Sequence, residues 1–279
     1  MHSLIKKNER IKQMKNQRQQ NRLYAERHED MVNKLFKHQI NDSIKQSVIY
    51  SPDSFKDQHN NFTDHAKQIV WQLPTDQASI KAFKQFKHQR IASLNFADYR
   101  DVGGGYLRGM MAQEEAICGQ SDLYPVISSQ TDYYDWNNKH MNRGIYLNRA
   151  IYSPNILWGT STVPQGKTDV ITCAAPHKSR GKYLASDPKK QAKFYLDADS
   201  AMLNRMYFVK QIAEDQHVDV LILGAWGAGA FGFDAKEVAK MWQKVFELPT
   251  SIKQVIYAVV GDKRSHRAVD AFKEVFSND

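Results

Sequence analysis

A chain of 279 residues, 42% apolar and 25% charged, can bury a sizeable core as one large domain or as one domain with an extension. Its formal net charge of +9 gathers phosphates without choosing among them. Two cysteines, Cys118 and Cys173, exclude a disulfide framework and a zinc site and imply a reducing cytoplasm; residues 1–20 lack the apolar stretch of a secretory signal, and the longest apolar run, 220–233, is too short and too broken by glycines to span a bilayer.

Residues 1–60 are rich in Lys, Arg, Gln and Asn and contain no glycine, which predicts helix from about Asn8 to Ile44. Within 5–27 stand Lys6, Lys7, Arg10, Lys12, Lys15, Arg18, Arg22 and Arg27, a set that suits a polyanion; the plainer alternative is a solvated arm packed through Ile11, Met14, Leu23, Met31 and Leu35. Turn residues from Ser51 to Asp64 read as a linker, dividing the chain into a basic extension, 1–64, and a main domain, 65–279. Apolar runs at 67–73, 91–97, 144–158, 169–175, 218–224 and 254–260 then read as strands covered on both faces. Helical patterns lie between them at 199–214, at 263–276 and around Val238, Met241, Trp242 and Val245, the last opened by Asp234 as N-cap with Glu237 three residues on. Strands interleaved with helices predict an α/β sheet with helices on both faces.

Two segments carry candidate chemistry. In 94–119, LNFADYRDVGGGYLRGMMAQEEAICG, a strand feeds Gly103, Gly104 and Gly105, and a helix follows with Gln113, Glu114 and Glu115. Consecutive glycines let backbone N–H groups approach an anion or a ribose. A bare glycine triplet is more often a flexible turn, and an adjacent acid pair more often a polar helix face, with the two side chains about 100° apart. No Walker spacing is present, and G-x-G-x-x-G fails in this segment, where the spacing gives Gly103, Gly105 and Arg108. In 218–233, VDVLILGAWGAGAFGF, a buried strand again feeds a glycine-rich loop that feeds a helix. Two such loops at strand ends suit a diphosphate joining two nucleosides, since ligands of α/β sheets sit beyond the carboxyl ends of the strands. The competing reading of the second loop is close helix–sheet packing with Phe231 in the core.

Three glycines, seven residues and then Gln-Glu-Glu resemble the signature of the poly(ADP-ribose) glycohydrolases. Asn95-Phe96-Ala97 resembles the microbial-type branch, and the likeness continues through Leu123-Tyr124-Pro125, Tyr152-Ser153-Pro154, 169–172 and Ala174-Ala175-Pro176, covering roughly 90–260. The resemblance implies a macrodomain-like three-layer α/β/α sandwich with a mixed, mostly parallel sheet, carrying the N-terminal helical extension. It implies hydrolysis of ribose–ribose O-glycosidic bonds with release of ADP-ribose and without metal or cofactor. Glu115 would be general acid and then base for water, Glu114 would orient a ribose hydroxyl, and Gln113 would fix the substrate or the loop. Gly103, Gly104 and Gly105 with Gly227, Ala228, Gly229, Ala230, Phe231 and Gly232 would cradle the diphosphate, Phe231 over the distal ribose; Asn95 and Asp98 complete the substrate-binding set. The acid must stay protonated near pH 7, above the usual value of about 4.3 for Glu, and burial beside a second carboxylate works in that direction.

The chain departs from the family's usual residues at Ala228, where Cys is frequent, at His177, where Asn is, at Val102, where Pro is, and at Asp98, where Asn or a small polar residue stands. These departures bear on linkage preference more than on chemistry. A hydrolase of single ADP-ribose groups on protein or nucleic acid, or a reader that binds without turnover, would share the fold. A plain nucleic-acid binder is disfavoured by the lack of any RNP, helix-turn-helix or zinc-finger pattern. Thirteen Tyr and thirteen Phe leave the adenine contact unassigned.

Overall fold

The computed structural model describes residues 2–56, 58, 60–159, 163–261 and 267–276, with side chains from residue 13 onward. The chain opens with α1 (His2–Leu35) and α2 (Lys37–Gln46), then β1 (Val48–Tyr50), β2 (Lys67–Trp71), α3 (Thr75–Gln85) and β3 (Ile91–Phe96). Three short helices follow, α4 (Gln113–Cys118), α5 (Leu123–Ser128) and α6 (Thr131–Lys139), then β4 (Ala150–Trp158), β5 (Gly166–Cys173) and the long α7 (Pro188–Asp215). The described chain closes with β6 (Val220–Leu223), α8 (Ala235–Phe246), β7 (Gln254–Ala258) and α9 (Arg267–Phe276). The strands form one sheet in the order β1-β4-β5-β3-β6-β7-β2. Pairing is parallel from β5 through β3, β6 and β7 to β2, and antiparallel from β5 through β4 to β1.

Alternate side chains of a strand face opposite sides of the sheet, and the core divides accordingly. Leu221, Leu223, Val255 and Tyr257 pack with Met202, Met206, Val209, Trp242 and Phe272 from α7, α8 and α9. Their sequence neighbours Val220, Ile222, Ile256 and Ala258 face Ala78 and Ala82 of α3 on the other side. Further along that side, Ile151, Ile156 and Val170 meet Val32, Ile40, Ile117, Val126 and Tyr133. Both faces are buried, as the near-continuous apolar strands require, and the result is the expected three-layer sandwich with a mixed, mostly parallel sheet.

Several elements differ from expectation. The predicted first helix breaks at Phe36 (φ −118°, ψ 20°) before α2 resumes. Residues 144–149 are not strand, because Gly144 and Tyr146 hold positive φ (90° and 64°), and β4 begins at Ala150. The short edge strand β1 and the helix α3 were not anticipated; α3 buries only Thr75, Ala78, Ser79 and Ala82, side chains too small to register as an apolar stripe. Helix α7 starts earlier than expected, at Pro188, with the Asp187 side chain accepting the Lys190 N–H. The predicted last helix is described only from Arg267, and residues 263–266 lie outside the described set.

The extension is built into the sheet and its flank. β1 pairs with β4, and Ala25, Val32, Phe36 and Ile40 are buried. One face of α1 runs along the segment that follows the glycine triplet. Arg18 Nε donates to the Arg108 carbonyl (2.9 Å), Asn21 Nδ2 to the Gly109 carbonyl (3.2 Å) and Tyr24 OH to the Gly119 carbonyl (2.8 Å). His28 Nδ1 lies 2.8 Å from Tyr106 OH, with the imidazole buried. Side chains of Lys6, Lys7, Arg10, Ile11 and Lys12 lie outside the described residues.

Candidate active site

Strands β3 and β6 are parallel neighbours, so the loops leaving their carboxyl ends lie side by side. The loop after β3 runs over Gly103–Gly105 into α4, which presents Gln113, Glu114 and Glu115 in its first turn. The loop after β6 runs over Gly227–Gly232 into α8. Both glycine loops sit where open α/β sheets bind ligands.

The two adjacent carboxylates use different hydrogen-bond partners. Glu114 is 4% exposed; Oε1 accepts from Asn95 Nδ2 (3.1 Å) and Oε2 from the Asp98 N–H (2.7 Å). Burial pushes its carboxyl well above the usual range, while the Asp98 N–H and the Asn95 amide pull the other way. Glu115 is 7% exposed; Oε1 accepts the Gly105 N–H and Oε2 reaches back to the Ala112 N–H at the N-cap of α4, both at 2.8 Å. Gly104 lies flush on both acids. A Cβ there would stand 2.7 Å from Glu115 Oε1 and 3.0 Å from Glu114 Oε2, and its φ of 60° already favours glycine.

Asn95, Gln113 and Asp98, expected to bind substrate, bond to protein groups around the acids. Asn95 is fully buried behind Glu114 and also donates to Thr172 Oγ1 (3.3 Å). Gln113 spends its amide on protein: Oε1 accepts the Phe96 N–H (2.9 Å), and Nε2 donates to the Leu94 carbonyl (2.9 Å) and Thr75 Oγ1 (3.1 Å). It therefore ties α4 to the end of β3 and the start of α3. Asp98 Oδ1 accepts the N–H groups of Arg100 and Asp101 (2.8 Å each), a local turn that sets the height of its own loop.

The second loop is open. Gly229, Ala230 and Gly232 are exposed, while Ala228 and Phe231 are half-buried. Gly229 has φ 91°, and nothing lies within 4 Å of where its Cβ would be. Trp242 Nε1 donates to the Gly224 carbonyl (3.1 Å) and pins the loop's start. A cleft of about 820 Å³ lies between the start of α4 and the second loop, with Ala112 and Gln113 on one wall, Ala228 and Gly229 on the other, and Phe96 and Val259 also lining it. Neither Glu114 nor Glu115 lines this cleft; Glu115 sits under Gly104 and Gly105. Among the described residues, no group of three or more His, Cys, Asp or Glu is placed to hold a metal ion.

Other contributors escaped the sequence reading. Asp76, at the start of α3, lines the cleft, and burial pushes its carboxyl up; the Pro-Thr-Asp opening after a strand was the available signal. Arg108 donates to Asp101 Oδ2 (2.8 Å) and to the Gly104 carbonyl (2.9 Å), clamping the first loop from outside. Ser179 clamps the second: its N–H donates to the Phe231 carbonyl (2.9 Å) and its hydroxyl to the Ala230 carbonyl (3.1 Å). Contacts of this range leave no local sequence mark. A second groove of about 810 Å³ lies at the amino ends of β3 and β5, remote from the acid pair.

Residues 10–159 match the family described as microbial-type PARG, catalytic domain. The fold is similar to the crystal structure of poly(ADP-ribose) glycohydrolase from Thermomonospora curvata (20% identity, TM-score 0.80, covering 92% of this chain and 100% of that one). It is also similar to the Deinococcus radiodurans poly(ADP-ribose) glycohydrolase in complex with ADP-ribose (25% identity, TM-score 0.73, 85% and 96% covered). A third similar structure is the Thermomonospora curvata enzyme bound to the inhibitor ADP-HPD (19% identity, TM-score 0.73, 92% and 99% covered). Among curated proteins no match is found.

Proposed function

The chain belongs to the microbial-type poly(ADP-ribose) glycohydrolases, and from that premise we propose how its residues cleave the ribose–ribose O-glycosidic bond of the polymer to release ADP-ribose. The diphosphate lies between the glycine loops; the backbone is open to it at Gly229, where nothing stands within 4 Å of a Cβ position, while the Gly104 and Gly105 N–H groups are held by the Asp101 carbonyl and Glu115. The adenosine takes the cleft over Phe96 and Val259, with Asp76 at its edge as a polar contact. The distal ribose then reaches Phe231 on one side and the acid pair on the other.

Glu115 carries the chemistry in this reading. A carboxyl proton passes to the glycosidic oxygen as its bond to the anomeric carbon breaks, so the leaving ribose departs as a neutral alcohol. The oxocarbenium-like centre is then attacked by water, whose proton returns to Glu115. The observation that carries the assignment is the way the carboxylate is held. Two backbone N–H groups fix both oxygens at 2.8 Å, and each oxygen keeps a lone-pair direction for the substrate. Glu114, raised by burial and anchored to Asn95 and Asp98, orients a ribose hydroxyl and Gly104's neighbourhood rather than attacking. Asn95 and Gln113 act through the acids and the loop. Basic side chains of 5–27 supply a contact for the polymer's phosphates beyond the cleft; Arg22 there also pairs with Glu26 at 2.8 Å. No described helix is long and apolar enough to cross a membrane.

The test is ADP-ribose release from polymer by Glu115→Gln. General acid–base catalysis contributes roughly 10²–10⁴-fold, so the rate falls by at least about 100-fold while ADP-ribose binding persists. Retention of more than about a tenth of the wild-type rate would place the acid elsewhere.

A further inference from the structure

Beyond β5 the chain turns at His177, whose N–H donates to the Gly144 carbonyl (2.7 Å). The imidazole is half-buried and leans on the Phe231 ring, centroids 4.8 Å apart and planes tilted by 36°. Its Nδ1 lies 2.9 Å from Ser179 Oγ. The proton positions on this pair follow from the next bond. Ser179 has one hydroxyl hydrogen, and it goes to the Ala230 carbonyl at 3.1 Å. The serine oxygen is therefore an acceptor toward His177, and Nδ1 must be the nitrogen that carries hydrogen. In the neutral ring Nε2 is then left as the acceptor.

We propose that His177 is a specificity-determining residue that accepts a hydrogen bond from a ribose hydroxyl of the substrate, with Ser179 setting both its ring and the glycine loop beside it. The inference rests on the reading of the 227–232 loop as the seat of the diphosphate. A hydroxyl is the fitting ligand because a lone pair, not a charge, is offered. Burial, and then the nearby Arg180, hold the imidazole's titration below its ordinary 6.5, which keeps the acceptor available at neutral pH. Asp98 from the loop after β3 opposes that trend, and Lys182 from His177's own segment reinforces it. Tyr146, ahead of β4, shares Asp98 and Arg180 as neighbours. Lys178 is turned away, paired with Asp199 at 2.6 Å and Glu237 at 3.4 Å. A ring protonated at Nε2 can no longer accept; the sugar hydroxyl must then turn its oxygen to the ring and give its hydrogen elsewhere, so affinity for substrate weakens as pH falls through the imidazole's titration.

Steady-state hydrolysis of poly(ADP-ribose) between about pH 5.5 and 8.5 tests this with wild type, His177→Ala, His177→Asn and Ser179→Ala. One hydrogen bond predicts a rise in KM of roughly 3- to 12-fold for His177→Ala at pH 8, with kcat nearly kept. Asn offers both a donor for Ser179 and an acceptor for the sugar but does not titrate. It therefore restores KM and removes the low-pH rise seen in wild type. Ser179→Ala raises KM with the pH trend intact. An unchanged KM in His177→Ala overturns the proposal, as does a wild-type KM that falls at low pH, the mark of an imidazolium on phosphate. A folded His177→Asn, judged by circular dichroism, that behaves like the alanine variant overturns it as well. A wild type that releases no ADP-ribose would remove the glycohydrolase reading instead; calorimetry with ADP-ribose then decides on His177 alone, by the same loss of affinity in His177→Ala or its absence.

Discussion

The two glycine loops look alike in sequence and differ in what requires their glycines. At Gly104 the requirement is internal: the backbone lies on Glu115 and Glu114, and a Cβ would enter the carboxylates. At Gly229 the φ is equally left-handed, yet the space is empty. The first loop is shaped at Gly104 by the protein's own acids; the second is open at Gly229, while at Gly232 a Cβ would stand 2.8 Å from Ser179. A glycine run after a strand therefore marks a loop worth inspecting, and only the three-dimensional surroundings say what each glycine makes room for.

Substitution at the two positions sharpens the contrast. Gly104→Ala must displace Glu115 and adopt positive φ. It should lose roughly 100-fold or more in turnover, the share of a misplaced general acid, and about 2–4 kcal/mol of stability from strain plus overpacking. Gly229→Ala meets only the backbone strain, about 1–2 kcal/mol, and should weaken ADP-ribose binding with a smaller drop in melting temperature. Equal losses of turnover in the two variants would erase the distinction.

A third buried carboxylate tests the acids' side of the comparison. Asp122, at the N-cap of α5, accepts the Leu157 N–H on Oδ1 at 2.8 Å. Burial pushes its carboxyl up to about 7 from an ordinary 3.8. The folded state thus binds a proton that the unfolded chain releases near 3.8. The associated stability is fully present below the unfolded value and is lost as pH rises through about 7. Urea unfolding across pH 4–8 should show a wild-type decline that Asp122→Asn flattens; parallel curves would mean the group is ionised in the fold.

The smallest effect is expected from α1, which braces the first loop's exit but not the second. Tyr24→Phe removes the bond to the Gly119 carbonyl. It should cost about 0.5–1.5 kcal/mol by thermal melting and lower turnover a few-fold without changing ADP-ribose affinity. A selective loss of affinity would instead link α1 to the ligand side.

What the sequence could disclose follows the same division. Strands such as Val220–Leu223 were legible because both faces are buried and every residue is apolar. Helix α3 was not, since Ala78, Ser79 and Ala82 pack through smallness rather than through a visible stripe. The acid pair was legible as a pattern, but its sorting was not. Which carboxylate rests on Asn95 and which on Gly105 depends on a loop folding back over ten residues or more. Ser179's hold on Ala230, 51 residues away, had no sequence trace at all.

The central claim is that both glycine loops grip one diphosphate so that residue 115 meets the glycosidic oxygen. A crystal structure of Glu115→Gln with ADP-ribose tests it most directly. The account predicts the diphosphate between 103–105 and 227–232, with the substituted side-chain amide at position 115 within hydrogen-bond distance of the distal ribose's anomeric hydroxyl. A diphosphate bound away from either loop, or a distal ribose turned toward the 810 Å³ groove at the far end of the sheet, would contradict it.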